Sequence, residues 1–130
     1  MSVQSVAVAS QKFTCPGVTS TLPAITVAVS VTTLPDAIVE YRAAIRLRPG
    51  FAEAHNNLAN ALARTGHAED AIPEYQAALA AQPGMITARF NLALAYLDLG
   101  RKAKAADELH AIIRQQPDFT AAHVMLQATK

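Results

Sequence analysis

The sequence predicts an all-α fold, a solenoid of about six antiparallel helices that follows an irregular or disordered amino-terminal segment. Three observations carry this expectation. Residues 52–85 and 86–119 align without a gap at a period of 34; each period holds two stretches with the apolar spacing of a helix; and Gly and Pro recur at the same places between them. Self-similarity of this length belongs to stacked supersecondary units, none of which buries its apolar face alone.

Residues 1–34 fall outside the pattern. They carry Lys12 as their only charge, and VTSTLPAITVAVSVTTL places Pro23 in what would be a helix interior rich in Val, Thr and Ile. ITVAVSV alternates as a strand would, but a lone strand has no partner in a helical array. The expectation is an irregular or disordered leader, and the abrupt change of composition behind it is that of a truncated array joined to an unrelated segment. The first residues have no basic region ahead of their apolar stretch, which Gln4, Ser5, Ser10 and Gln11 interrupt, so they do not read as a secretory signal. PAITVAVSVTTLP is too short to cross a bilayer. A cytoplasmic protein without a membrane partner is expected.

Residues 35–51 read as the second half of a repeat, because Ala37, Tyr41 and Pro49 stand one period before Ala71, Tyr75 and Pro83. A matching first helix is missing. Its absence exposes Ala37, Tyr41, Ala44 and Ile45 and predicts a homo-oligomer formed through this first helix.

The full repeats span 52–85 and 86–119. Their first halves hold His55, Leu58, Ala59 and Leu62, then Arg89, Leu92, Ala93 and Tyr96, at i, i+3, i+4 and i+7, one stripe of a helix. Gly66 and Gly100 follow where a left-handed carboxyl-terminal cap is wanted. Helical spacing then resumes through Ala71, Tyr75, Ala78 and Leu79 and ends at Pro83. Glu69 and Asp70 fall near the start of this second helix, where negative charge is favourable. Pro73 removes one backbone donor and bends the helix near its start. Residues 120–130 begin a further unit, with His123 and Leu126 one period after Arg89 and Leu92.

With these residues in place, the chain resembles the tetratricopeptide repeat family, whose pattern is W-x₂-L-G-x₂-Y, A-x₃-F and P within 34 residues. The first unit gives His55-x₂-Leu58-Ala59-x₂-Leu62, Ala71-x₃-Tyr75 and Pro83; the second gives Arg89-x₂-Leu92-Ala93-x₂-Tyr96, Ala105-x₃-Leu109 and Pro117. The departures are informative. His55, Arg89 and His123 replace a large aromatic, so the apolar stems of amphipathic residues are expected to fill that packing site. Ala59 and Ala93 replace glycine and favour helical backbone.

Three asparagines in AEAHNNLANALARTG point to a surface with work to do, since Asn competes with helical hydrogen bonding and an idle position is better filled by Ala, Lys or Glu. Glu53, Asn57, Asn60 and Arg64 form one helix face with Asn56 beside it; the equivalent places one period on are Thr87, Asn91, Leu94 and Asp98, with Phe90 beside them. Stacking merges these faces into a concave strip and predicts Asn57 above Asn91. A side-chain amide can pair with the N–H and C=O of any extended peptide. Asn57 and Asn91 resemble the asparagine ladder of O-linked N-acetylglucosamine transferase repeat arrays, which implies that they hold peptide backbone; Met125 interrupts the ladder at the next step. Phe90 and Leu94 would add apolar contacts, and Asp98, Glu53 and Arg64 would select charged side chains. The expected function is a non-catalytic module binding a protein or peptide partner, the alternatives being a self-assembling scaffold or a substrate-presenting piece of such a glycosyltransferase.

Other chemistries find little support. Residues 35–130 hold equal numbers of acidic and basic residues, all ten of the former, which is no footprint for nucleic acid, and RKAK at 101–104 reads as a solvated turn. Cys15 has no partner thiol, and no H-x₃-H or H-E-x₂-H occurs among the four histidines. Adjacent carboxylates such as Asp107 and Glu108 diverge on a helix, and neither a nucleophile motif nor a phosphate loop is present. No cofactor, metal or catalytic residue is expected.

Overall fold

The computed structural model describes residues 33–130. Among them the chain forms six helices: α1 Leu34–Leu47, α2 Ala52–Arg64, α3 Ala68–Ala81, α4 Ile86–Asp98, α5 Lys102–Gln115 and α6 Thr120–Ala128. Each packs on the next, and α2 also touches α4, so consecutive hairpins stack as a solenoid with no strand among the described residues. The leader predicted over residues 1–34 lies, apart from its last two residues, outside the described part. Leu34 already belongs to α1, which starts one residue earlier than expected.

The turns inside the hairpins follow from glycine. Gly66 and Gly100 adopt φ of 87° and 71°, a conformation that side chains with a Cβ rarely tolerate. The amide of Gly66 then reaches Ala63 O at 3.1 Å and that of His67 reaches Leu62 O at 2.9 Å; Gly100 and Arg101 repeat this with Leu97 O at 2.9 Å and Tyr96 O at 2.7 Å. These are the two bonds of a Schellman cap, and they satisfy carbonyls left over at the ends of α2 and α4. Arg101 also bonds Glu69 at 2.9 Å, tying the start of α5 to the start of α3. Pro73 sits within α3, and the helix continues through it.

Inside the stack, Ala59, Ala71, Ala93 and Ala105 are wholly buried where neighbouring helices approach most closely, and Leu58, Leu92, Leu109 and Ile112 fill the space between them. Tyr75 and Tyr96 are buried alongside. The first helix differs. No residue of α1 is fully buried. Ile38, Tyr41 and Ile45 still pack partly against the core, as Ala37 and Ala44 are half-covered too, so the exposed edge predicted at Ala37, Tyr41, Ala44 and Ile45 is narrower than expected. Val39 and Leu47 are the apolar residues of α1 that stand out, at 66% and 88% exposure.

The packing site of His55, Arg89 and His123 is a polar clamp and not a nest of aliphatic stems. His55 Nε2 donates to the Pro49 carbonyl at 2.9 Å, and its Nδ1 lies 2.7 Å from Glu74 Oε2. Arg89 repeats the arrangement one period later, donating to Pro83 O at 3.1 Å and Glu108 Oε2 at 2.8 Å. His123 bonds Pro117 O at 2.8 Å. Each clamp fastens the preceding proline turn to a first helix, and the two full ones reach on to the second helix of the same hairpin.

Candidate functional site

The inner strip is built by α2 and α4, with α3 contributing between them. Asn60, Ala63, Arg64, Tyr75, Asn91, Leu94, Ala95 and Asp98 enclose an open cleft of about 490 Å³. A second depression of about 230 Å³ is bounded by α1 and α2 through Tyr41, Asn57, Asn60 and Arg64, and a third of about 340 Å³ brings Glu53 and Asn57 beside Tyr41 and Phe51. Asn60 and Arg64 border the first two, so these read as one track.

A hydrogen-bonded chain runs through the main cleft. The Tyr75 hydroxyl donates to Asn60 Oδ1 at 2.6 Å, and Asn91 Nδ2 donates to the same oxygen at 3.0 Å and more weakly to Asn56 Oδ1 at 3.4 Å. Burial of Tyr75, helped by the negative charge of Asp98, pushes its hydroxyl up to about 12, so it remains a donor at any physiological pH. The consequence is a fixed polarity. Asn60 spends its oxygen on two donors and keeps its NH₂, while Asn91 spends its NH₂ on two acceptors and keeps its carbonyl oxygen. One donor and one acceptor, held side by side, match the C=O and N–H of a peptide.

The predicted ladder is therefore displaced. Asn91 meets Asn60 and Asn56, not Asn57, because successive hairpins are rotated as they stack and the register between first helices slips by about one turn. Asn57 is exposed and faces the depressions beside α1. Asn56 is buried at 8% exposure and serves the network from beneath. Phe90 is not part of the cleft lining, and its ring stands edge-to-face with Phe119 at 5.6 Å. Leu94, Asp98 and Arg64 line the main cleft, and Glu53 lines the third depression. Tyr75 went unassigned to the strip in the sequence, although an aromatic with a polar tip facing a first-helix asparagine was the available signal.

Among the described residues no group of three or more His, Cys, Asp or Glu could hold a metal ion, and no helix is long and apolar enough to cross a membrane. The cleft offers amides, a tyrosine, an arginine and an aspartate along an apolar wall of Ala63, Leu94 and Ala95.

Against known proteins, a tetratricopeptide repeat profile matches residues 66–129 and a TPR repeat profile matches residues 33–66. No curated protein matches the chain by sequence. Among solved structures the chain is similar to MamA, with a TM-score of 0.73, 25% identity, and coverage of 78% of this chain and 59% of that one. A tetratricopeptide repeat protein from Parabacteroides merdae ATCC 43184 gives a TM-score of 0.72 and 25% identity over 78% of this chain and 41% of that one. YrrB, described as a TPR protein with an unusual peptide-binding site, gives 0.69 and 25% over 78% and 53%. The chain thus spans about half the length of these relatives.

Proposed function

The chain belongs to the tetratricopeptide repeat family over residues 33–129, and on that premise we propose that it is a non-catalytic protein-interaction module that holds an extended peptide in the cleft between α2 and α4. The observation carrying this reading is the oriented amide pair. Asn60 Nδ2 is offered to a ligand carbonyl and Asn91 Oδ1 to a ligand N–H, with Tyr75 fixing which is which. Recognition of main chain by amides is what the resemblance to asparagine-ladder arrays implies, here moved from Asn57 to Asn60. Arg64 of α2 and Asp98 of α4, which both line the cleft, favour a peptide carrying residues of both charges near an apolar one that meets Leu94. The peptide-binding site ascribed to YrrB is consistent with such a use of the fold.

The test begins with peptides selected from a random display library against the purified chain. Asn60→Ala and Asn91→Ala should each weaken the best peptide by about tenfold, the scale of one or two lost hydrogen bonds, with circular dichroism unchanged. Asn56→Ala is not informative here because it removes support from beneath, whereas Asn57→Ala should weaken binding less than either. Equal affinity for wild type and the Asn60→Ala, Asn91→Ala double variant would remove the proposal.

A further inference from the structure

The clamp that recurs through the stack is complete twice and half-made twice. It joins a basic residue on a first helix to a glutamate 19 positions later on the second helix, as His55 to Glu74 and Arg89 to Glu108. By the same period, the glutamate of α1 is Glu40, and the residue that should face it, 19 positions earlier, is Thr21. Glu40 is exposed. At the other end, His123 of α6 holds its proline carbonyl at 2.8 Å but has no carboxylate among the described residues. Among the described residues, α1 is a second-type helix that lacks the first helix of its own hairpin, and α6 is a first-type helix that lacks the second helix of its own.

The unpaired apolar residues are complementary in the same way. Ala71, Ile72, Tyr75 and Ala78 are buried under α2, at 0 to 7% exposure, whereas their equivalents Ala37, Ile38, Tyr41 and Ala44 are only half-buried. On α6, Leu126 stands where Leu58 and Leu92 are buried, yet it is only half-covered, and Val124 is 62% exposed. From the charge and the shape together we infer that α6 of one copy docks on α1 of a second copy, forming a repeat hairpin in trans with His123 Nδ1 against Glu40 of the next chain. The contact is heterologous, so copies add head to tail.

One residue sets its strength. Gln127 stands where Ala59 and Ala93 are wholly buried against the second helix, so the joint is held apart and association is weak. Gln127→Ala therefore tightens it.

Sedimentation equilibrium of the full chain, from low micromolar to millimolar, tests the joint. The wild-type mass should rise with concentration without settling at a dimer. Glu40→Lys alone and His123→Glu alone should each raise the dissociation constant by about tenfold, the first by removing the acceptor opposite His123 and the second by setting two carboxylates face to face, while the double variant restores association with a lysine–glutamate pair in their place. Mixing the two single variants should restore growth that neither shows alone, since His123 of the first meets Glu40 of the second and the glutamate at 123 of the second meets the lysine at 40 of the first, so both joints are sound in an alternating array. Helicity measured in parallel separates loss of the joint from loss of fold. A wild-type mass fixed at the monomer up to millimolar, as would follow if another part of the chain covers α1, overturns the inference. So does association that is indifferent to Glu40→Lys, or a double variant that stays dissociated.

Discussion

Replacing Tyr75 by Phe tests the amide network from below the cleft. The change keeps the ring among the buried residues of the core and deletes a 2.6 Å hydrogen bond to Asn60 Oδ1. That oxygen still accepts from Asn91 and borders an open cleft, so it is not left as a buried orphan. The loss at neutral pH is then the net value of one neutral hydrogen bond, about 1 kcal/mol. Alkali gives a sharper signature. The Tyr75 hydroxyl is pushed to about 12 by burial and by Asp98, against about 10 in an unfolded chain. A group whose folded value is raised contributes stability fully present below pH 10 and lost as pH climbs toward 12. Two units correspond to roughly 2.7 kcal/mol. Urea unfolding followed at 222 nm, for wild type and Tyr75→Phe from pH 7 to 11.5, isolates this contribution because all other titrating groups are shared. Wild type should start about 1 kcal/mol more stable, by the hydrogen-bond value above, and fall toward or below the variant above pH 10. Curves that stay parallel to pH 11.5 would refute the burial and bonding of this hydroxyl.

Four further outcomes follow from packing and charge. Leu58 is 2% exposed at the centre of the first hairpin, so Leu58→Ala should lower unfolding stability by about 3 to 5 kcal/mol, measured by urea titration. Gly66→Ala meets no neighbouring atom but forces a Cβ onto φ of 87°, and should cost about 1 to 2 kcal/mol without altering the helix content of the folded state. Glu108→Gln removes the carboxylate from a half-buried clamp on Arg89, whose Nε already lacks a partner, and should cost about 2 kcal/mol; Glu69→Gln, in a far more exposed pair with Arg101, should change thermal stability by less than about 0.5 kcal/mol.

The period of 34 made the helices, the turn glycines and the equivalence of positions legible, because these depend on spacing along one chain. It also identified Leu58, Leu92, Ala59 and Ala93 as interior. Equivalence is not registration. Asn57 and Asn91 occupy the same place in their repeats, yet the rotation between hairpins brings Asn91 to Asn60. That angle is set by how whole helices pack, which the pattern does not contain. For the same reason the pattern did not show that Asn56 is buried or that Phe90 packs on Phe119. The clamps were concealed differently. His55 and Arg89 read as poor substitutes for an aromatic until Glu74 and Glu108, which repeat with them, are seen to supply their carboxylate partners. A basic residue and a glutamate recurring 19 positions apart was the signal available.

The central claim concerns the cleft, and a crystal structure of the chain with its best selected peptide tests it most directly. A single peptide unit of the ligand should lie within hydrogen-bonding distance of both Asn60 Nδ2 and Asn91 Oδ1, with the Tyr75 hydroxyl still on Asn60. A ligand seated elsewhere, or one leaving both amides bonded only to each other, would contradict it.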